Sequence, residues 1–130
     1  MGVFRGVYRK YSSKAVGLDS NQPAALENLG DLYFYGVGKK HLGLNKTSAF
    51  EHYEKAYEKY NAEDFSGKNK NIFDTGKAST AYKLGCMLSN GIGTEQNHKI
   101  AFEYFQEAFK DGEKRAIKAL AECYTYMVQG

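Results

Sequence analysis

The strongest constraint on the fold of this chain is that the chain repeats itself. The block LGDLYFYGVG at residues 29–38 matches LGCMLSNGIG at residues 84–93, with the Leu-Gly pair and the Gly-x-Gly ending at the same separation. A second block, AFEHYEKA at residues 49–56, matches AFEYFQEA at residues 101–108. Two different blocks that recur in the same order indicate an array of structural repeats, in which each unit buries its apolar face against its neighbours.

The spacing inside each block predicts a helix, so the pair predicts a helical hairpin. In the first block the apolar and small residues recur at i, i+3 and i+4, which defines helix A, and Pro23 fits its first turn behind a cap at Ser20 or Asn21. In the second block an apolar face lies opposite a charged one, which defines helix B, with Thr47 or Ser48 as its N-cap. We therefore predict an all-α fold, a solenoid of antiparallel helical hairpins.

Six glycines are expected to shape these hairpins. Gly30 and its counterpart Gly85 are small positions at which a neighbouring helix can approach closely. The other four form the turns: we expect the first glycine of each pair to end helix A with a positive φ, and the second to let the chain turn toward helix B. These turn glycines are Gly36, Gly38, Gly91 and Gly93.

Taken alone, the stretch YFYGVGKKH at residues 33–41 looks like a loop that cradles a phosphate, with Lys39 behind two glycines. Its second copy has Thr94 and Glu95 in place of the two lysines, and an acidic side chain would repel a phosphate. The Gly-x-Gly is therefore interpreted as the corner of a repeated hairpin.

The whole of residues 1–130 is interpreted as one repeat domain. A third, partial copy of helix A follows the second helix B, and the basic N-terminal segment, with apolar residues at helical spacing, reads as a degenerate helix B whose own helix A is missing. The resulting helix order, B, A-B, A-B, A, starts and stops in the middle of a repeat unit, which favours a piece of a longer array. The predicted parts are residues 3–16 (degenerate helix B), 24–60 (repeat 1), 61–77 (insertion), 78–111 (repeat 2) and 113–128 (terminal helix A).

The combination of Ala-x-x-x-Leu-Gly, Gly-Val/Ile-Gly and Ala-Phe-x-x-aromatic-x-x-Ala resembles the Sel-one-like (Sel1) repeat of the tetratricopeptide superfamily, over residues 25–128. The resemblance implies a right-handed α-α superhelix that acts as an adaptor in larger assemblies. The third copy departs from the pattern at Ala121 and Met127, which replace glycines, and the link before the second helix A is sixteen residues longer than the link before the third.

Partner binding is expected on the concave surface formed by successive A helices. When the three copies are superimposed, the Ala, Leu, Gly and aromatic positions of the A helices stay the same while a second set of positions varies. Ala119 belongs to this variable set, together with the candidate positions given below. The insertion is either a surface loop tucked onto helix B or a binding arm that presents Phe65 and Phe73. The candidate positions on the A helices are Asn28, Asp31 and Tyr35, then Lys83, Cys86 and Asn90, then Glu122 and Tyr126.

No catalytic, cofactor or metal site is predicted. His41, His52 and His98 are scattered at positions interpreted as solvated, and none has a second ligand at helical spacing. The expected partner is a protein or peptide, without an obligate small-molecule ligand. Two alternatives stay open: a cysteine-rich family type that hydrolyses β-lactams, although Cys86 and Cys123 form no repeat-stapling pair, and a binder of single-stranded nucleic acid, although most tyrosines fall on packing stripes.

Composition does not identify the compartment. No apolar run reaches the ~20 residues of a membrane-spanning helix. Two widely spaced cysteines favour a reducing intracellular environment. The first eighteen residues are basic without an acidic residue, which also suits a mitochondrial targeting peptide, although the ordinary amphipathic helix is the preferred interpretation.

Overall fold

The computed structural model describes residues 22–36, 45–62 and 70–129. These ranges contain five helices and no strand: α1 (Pro23–Tyr35), α2 (Lys46–Ala62), α3 (Lys70–Asn90), α4 (His98–Lys110) and α5 (Ala116–Gln129). Helix α1 packs on α2, α3 packs on α4, and α2 and α3 join the two hairpins, while α5 packs on α4. The predicted all-α solenoid of antiparallel hairpins is confirmed: α1, α3 and α5 are A helices, and α2 and α4 are B helices.

The N-cap residues of the helices differ from those predicted. The N-cap of α1 is Gln22, which makes no side-chain cap hydrogen bond, and Pro23 occupies the first turn as predicted. Helix α2 begins earlier than expected, because the side-chain oxygen of Asn45 accepts a hydrogen bond from the Ser48 N–H at 3.0 Å. Asn97 caps α4 in the same way through the Ile100 N–H at 3.1 Å. The capping asparagine is therefore a repeated feature, and assigning the α2 cap to Thr47 or Ser48 was wrong.

Helix α3 begins at Lys70, eight residues before the predicted start of repeat 2 at position 78. The segment 61–77 is thus helical at its described ends, and residues 63–69, including Phe65, lie outside the described residues. Packing explains the early start: the Phe73 ring meets the Tyr60 ring at 5.1 Å between centroids, and Gly76 lies directly against the same ring. Burial of these aromatic contacts outweighs the poor helix propensity of the Asn- and Gly-containing sequence.

The core is built from the same contact in both hairpins. A Cβ built on Gly30 would lie 2.5 Å from Cε1 of Tyr53, and one built on Gly85 would lie 2.6 Å from Cε1 of Phe105. Each B helix therefore places an aromatic ring in a notch of its A helix, as the small residues predicted.

The turn glycines among the described residues adopt the expected backbone. Gly36 has φ 75° and Gly91 has φ 67°, in the region that favours glycine, and the Gly36 N–H donates to the Leu32 carbonyl at 2.9 Å. Gly93 lies against the backbone carbonyl of Lys46, which brings the second turn onto the start of α2. Gly38 lies outside the described residues.

Candidate partner-binding groove

Two neighbouring cavities run along the faces of the A helices. A cavity of about 180 Å³ lies between α1 and α3, and one of about 520 Å³ lies between α3 and α5. Tyr82, Cys86 and Arg115 line both cavities, so the two are adjacent, and together we call them the A-face groove. All three A helices contribute to it.

The smaller cavity is the apolar end of the groove. Its wall includes the aromatic and aliphatic side chains of Phe34, Met87 and Ile92. Tyr35, a predicted binding residue, lines this end and is 72% exposed, and Lys83 lines it from α3. An apolar recess with a charged residue in its wall suits an apolar side chain presented by a partner.

The larger cavity contains four of the predicted residues, namely Cys86, Asn90, Glu122 and Tyr126. Asn90 and Gln96 are fixed there by hydrogen bonds from their side-chain amides to the Cys86 and Ser89 carbonyls, at 2.9 and 2.8 Å. Each amide keeps its oxygen as an acceptor, which is the group that a partner backbone N–H needs.

Asp31 and Lys83 meet each other across the hairpin boundary. The Lys83 ammonium donates to Asp31 Oδ1 at 3.0 Å and to Glu27 Oε2 at 2.8 Å, and the Tyr53 hydroxyl donates to Asp31 Oδ1 at 2.5 Å. Tyr60 and Ser79 also donate to Glu27. Asn28 and Asp31 are not among the residues that line the two cavities. The network therefore joins repeat 1 to repeat 2 at the edge of the groove.

The ionisation of the network follows from its surroundings. Burial works against the charge on Lys83, but the attraction and hydrogen bonds of Glu27 and Asp31 outweigh it and raise the pKa of Lys83. Burial, together with the hydrogen bond to Asp31, raises the pKa of Tyr53 far above its ordinary value. Lys83 is therefore a charged but compensated cation at neutral pH, and Tyr53 is a neutral donor.

Arg115 is a groove residue that the sequence analysis missed. Its guanidinium lies over the Tyr82 ring, 4.5 Å from the centroid, and donates to the Glu113 carboxylate from Nε at 2.8 Å and from Nη2 at 2.9 Å. These two hydrogen bonds lower the pKa of Glu113. Arg115 precedes the third repeat block, which is why superimposing the copies did not select it; its one sequence signal is a basic pair directly before helix α5.

Two histidines are less solvated than predicted. His98 is half-buried and its ring stacks on the Tyr126 ring at 4.6 Å and an interplanar angle of 4°. His52 lies 5.1 Å from the Tyr33 ring, with Nδ1 2.8 Å from the Ser48 carbonyl. Both rings cover aromatic neighbours, and His98 thereby orients Tyr126 at the edge of the groove.

The cysteines are free thiols, with Cys123 buried and Cys86 half-buried. Burial raises the pKa of both thiols, although a hydrogen bond with Tyr82 opposes the rise at Cys86. A thiol with a raised pKa is a poor nucleophile at neutral pH. In the part of the chain that the structure describes, no group of three His, Cys, Asp or Glu residues could hold a metal ion.

The described part of the 61–77 segment has a mixed character. Phe73 packs on the cluster of Leu26, Ala56 and Tyr60, whereas Ile72 is 74% exposed. Phe73 thus contacts the helix B that precedes it.

No helix among the described residues is long and apolar enough to cross a membrane.

Comparison with protein families identifies the same repeats. The Sel1 repeat model matches residues 23–61 and 78–113, which together make up more than half of the chain. The first match covers the α1–α2 hairpin, and the second covers the α4 helix and most of α3. Searches of curated proteins and of solved structures gave no significant match.

Proposed function

Because the chain belongs to the Sel1 repeat family, whose repeats generally mediate protein–protein interaction, we propose that it is an adaptor that holds a segment of a partner protein in the A-face groove. The observation that carries this proposal is that two adjacent cavities, which share Tyr82, Cys86 and Arg115 in their walls, together reach all three A helices. Cavities that together reach three helices offer an extended segment several successive contacts.

The chemistry of the groove favours a partner segment with an apolar or aromatic side chain. Lys83 is compensated by Glu27 and Asp31, and Arg115 by Glu113, so these cations add little net charge to attract an acidic ligand. Exposed tyrosines at both ends supply ring surface, and such residues often dominate interface energetics. The small cavity takes the apolar side chain, while Asn90 and Gln96 accept from the partner backbone.

Several features support a binding role over an enzymatic one. Sel1 repeat proteins are typically non-enzymatic scaffolds. The two thiols have raised pKa values, and the Ser89 hydroxyl lies 3.5 Å from His98 Nδ1, at the long limit of a hydrogen bond. We therefore assign the groove to recognition.

Affinity capture with cross-linking tests the proposal. The groove variant combines Tyr35→Ala with Tyr126→Ala, two exposed side chains at opposite ends of the groove, and the matched control is Glu58→Ala on the exposed face of α2. We expect the groove variant to lose partner recovery while the control keeps it, with both variants retaining the helical circular dichroism signal. Equal recovery by the two variants would rule out the groove as the binding surface.

Asp31 is unsuitable for this test, because replacing it disrupts the network with Lys83 and Tyr53 and so changes stability together with binding. A contribution of the 61–77 segment is measured separately with Phe65→Ala and Ile72→Glu. Loss of recovery in these variants alone would place the binding surface on that segment instead.

A further inference from the structure

Two further cavities lie along the B helices. One of about 550 Å³ is lined by residues of α2 and α4. The other, of about 410 Å³, is lined by α2, α4, the end of α3 and the segment between α3 and α4. Ile100 and Tyr104 line both cavities, so the two are adjacent, and together we call them the B-face groove.

The walls of the B-face groove include aromatic rings from both B helices. Tyr57 of α2 meets Tyr104 of α4 edge to face, with ring centroids 5.3 Å apart. Both rings are half-buried, Phe50 packs on the same core clusters, and Ile100 is 40% exposed. Ring faces and an aliphatic side chain of this kind suit the stem of a long basic side chain, whose charged end stays near water.

The charged residues of the B-face groove are acidic. Glu54 of α2, Glu95 between α3 and α4, and Glu103 and Glu107 of α4 line the two cavities, and no described lysine or arginine does. Among the residues that the structure describes, none of these four carboxylates takes part in an ion pair. The whole chain, by contrast, has a formal net charge of +3. The groove therefore concentrates negative charge on a protein that carries a positive balance.

This concentration of negative charge affects the groups in the groove. Burial, together with other carboxylates of the same helix, raises the pKa of Glu54. Burial and nearby carboxylates, Glu54 foremost, raise the pKa of Tyr104. Lys77 lies 6.0 Å from the centroid of the Tyr57 ring, but its ammonium pairs with Asp111 at 3.7 Å. A cation from outside the described residues would therefore find carboxylates that repel one another and would relieve that repulsion.

The placement of the carboxylates favours a chain with several basic groups over a single ion. In the described ranges, no group of three His, Cys, Asp or Glu residues could hold a metal ion. We propose that the B-face groove docks a lysine- or arginine-bearing segment of a partner protein. Its basic groups pair with Glu54, Glu103 and Glu107, while their aliphatic stems lie on the Tyr57 and Tyr104 rings. This second docking surface goes beyond the proposed function of the A-face groove and does not depend on it.

Fluorescence anisotropy with a labelled peptide of alternating lysine and leucine tests the inference, and a matched peptide has glutamate in place of lysine. The groove variant combines Glu54→Gln with Glu103→Gln. The control combines Glu51→Gln with Asp74→Asn, which changes the net charge equally at two residues that line neither cavity. We expect the lysine peptide to bind the wild type and the control alike, to bind the groove variant about fivefold more weakly, and to dissociate as salt is added.

Charge reversal gives a result that misfolding cannot imitate. A variant with Glu54→Lys and Glu103→Lys should bind the glutamate peptide more tightly than the lysine peptide, the reverse of the wild type. Equal affinity of the wild type for the two peptides, or equal losses in the groove variant and the control, would overturn the inference. Loss of binding in the Tyr35→Ala, Tyr126→Ala variant instead of the groove variant would also overturn it, because the basic segment would then lie in the A-face groove.

Discussion

Gly30 lies directly against the ring of Tyr53, so close that an added Cβ would be 2.5 Å from Cε1. The second hairpin repeats the contact between Gly85 and Phe105 at 2.6 Å. Because real Cβ atoms do not approach carbon atoms this closely, the spacing between the A and B helices of each hairpin depends on the missing side chain.

Gly85→Ala is expected to destabilise the protein. Alanine is intrinsically the better helix former by about 1 kcal/mol, so the substitution would raise stability if the position were open. The new methyl group instead meets the buried Phe105 ring, and overpacking costs about 1–3 kcal/mol. Urea unfolding measures the loss. The double variant with Phe105→Leu should show a smaller penalty than the sum of the two single variants, and a stabilised Gly85→Ala protein would refute the explanation.

Gly36→Val is expected to lower stability, whereas Lys39→Ala is not. Gly36 has φ 75° and ψ 149°, a backbone region that is open almost only to glycine and costs other residues about 1–3 kcal/mol. Thermal unfolding of the two variants compares them directly. A stable Gly36→Val protein together with a Lys39→Ala protein that loses nucleotide binding would restore the interpretation as a phosphate loop.

Lys83→Met is expected to destabilise the junction between the two repeats. The substitution keeps the length of the side chain but leaves Glu27 and Asp31 near each other without their shared cation. Since all three side chains are partly exposed, we expect a loss of about 1–2 kcal/mol rather than the larger cost of a fully buried pair. A double-mutant cycle with Asp31→Asn measures the coupling. Additive effects of the two substitutions would show that the Lys83–Asp31 ion pair contributes nothing to the junction.

Stability should fall at alkaline pH. The pKa values of Tyr53 and Lys83 are both raised in the folded state, so the unfolded chain loses these protons first, near pH ~10. The stabilisation is complete below that pH and is lost as the pH rises above it toward the folded-state pKa values. Melting temperatures between neutral pH and pH ~11 measure the effect. Tyr53→Phe, which lacks the titrating hydroxyl, should decline less steeply, and identical slopes would contradict this origin.

The repeated hairpins could be predicted because their information is local and present twice. Apolar spacing predicts the helices, and the small residues Gly30 and Gly85 predict points of close contact, although not the rings that fill them. The start of α3 could not be predicted in this way. Its first turns depend on Tyr60, a residue of another helix, which packs on Phe73 and Gly76.

The sequence predicted only those groove residues that lie within the repeated blocks. Superimposing the copies selected Tyr35, Asn90 and Tyr126, which do line the groove. Arg115 and His98 lie outside the repeat blocks from which the candidate positions were taken, so the same comparison did not select them. The pairing of Asp31 with Lys83 joins two different repeats, and the relative position of two repeats is a property of the packed array that neither repeat contains alone.

Site-specific photo-cross-linking tests the central proposal, that the A-face groove holds the partner protein. A photoreactive phenylalanine analogue replaces Tyr126, in the groove, or Tyr124, two residues away on another exposed face of α5; the two side chains are 57% and 61% exposed. We expect position 126, and likewise position 35, to cross-link to the partner protein, while position 124 does not. Cross-links to the partner from position 124 and none from positions 35 and 126 would contradict the groove as the site of recognition.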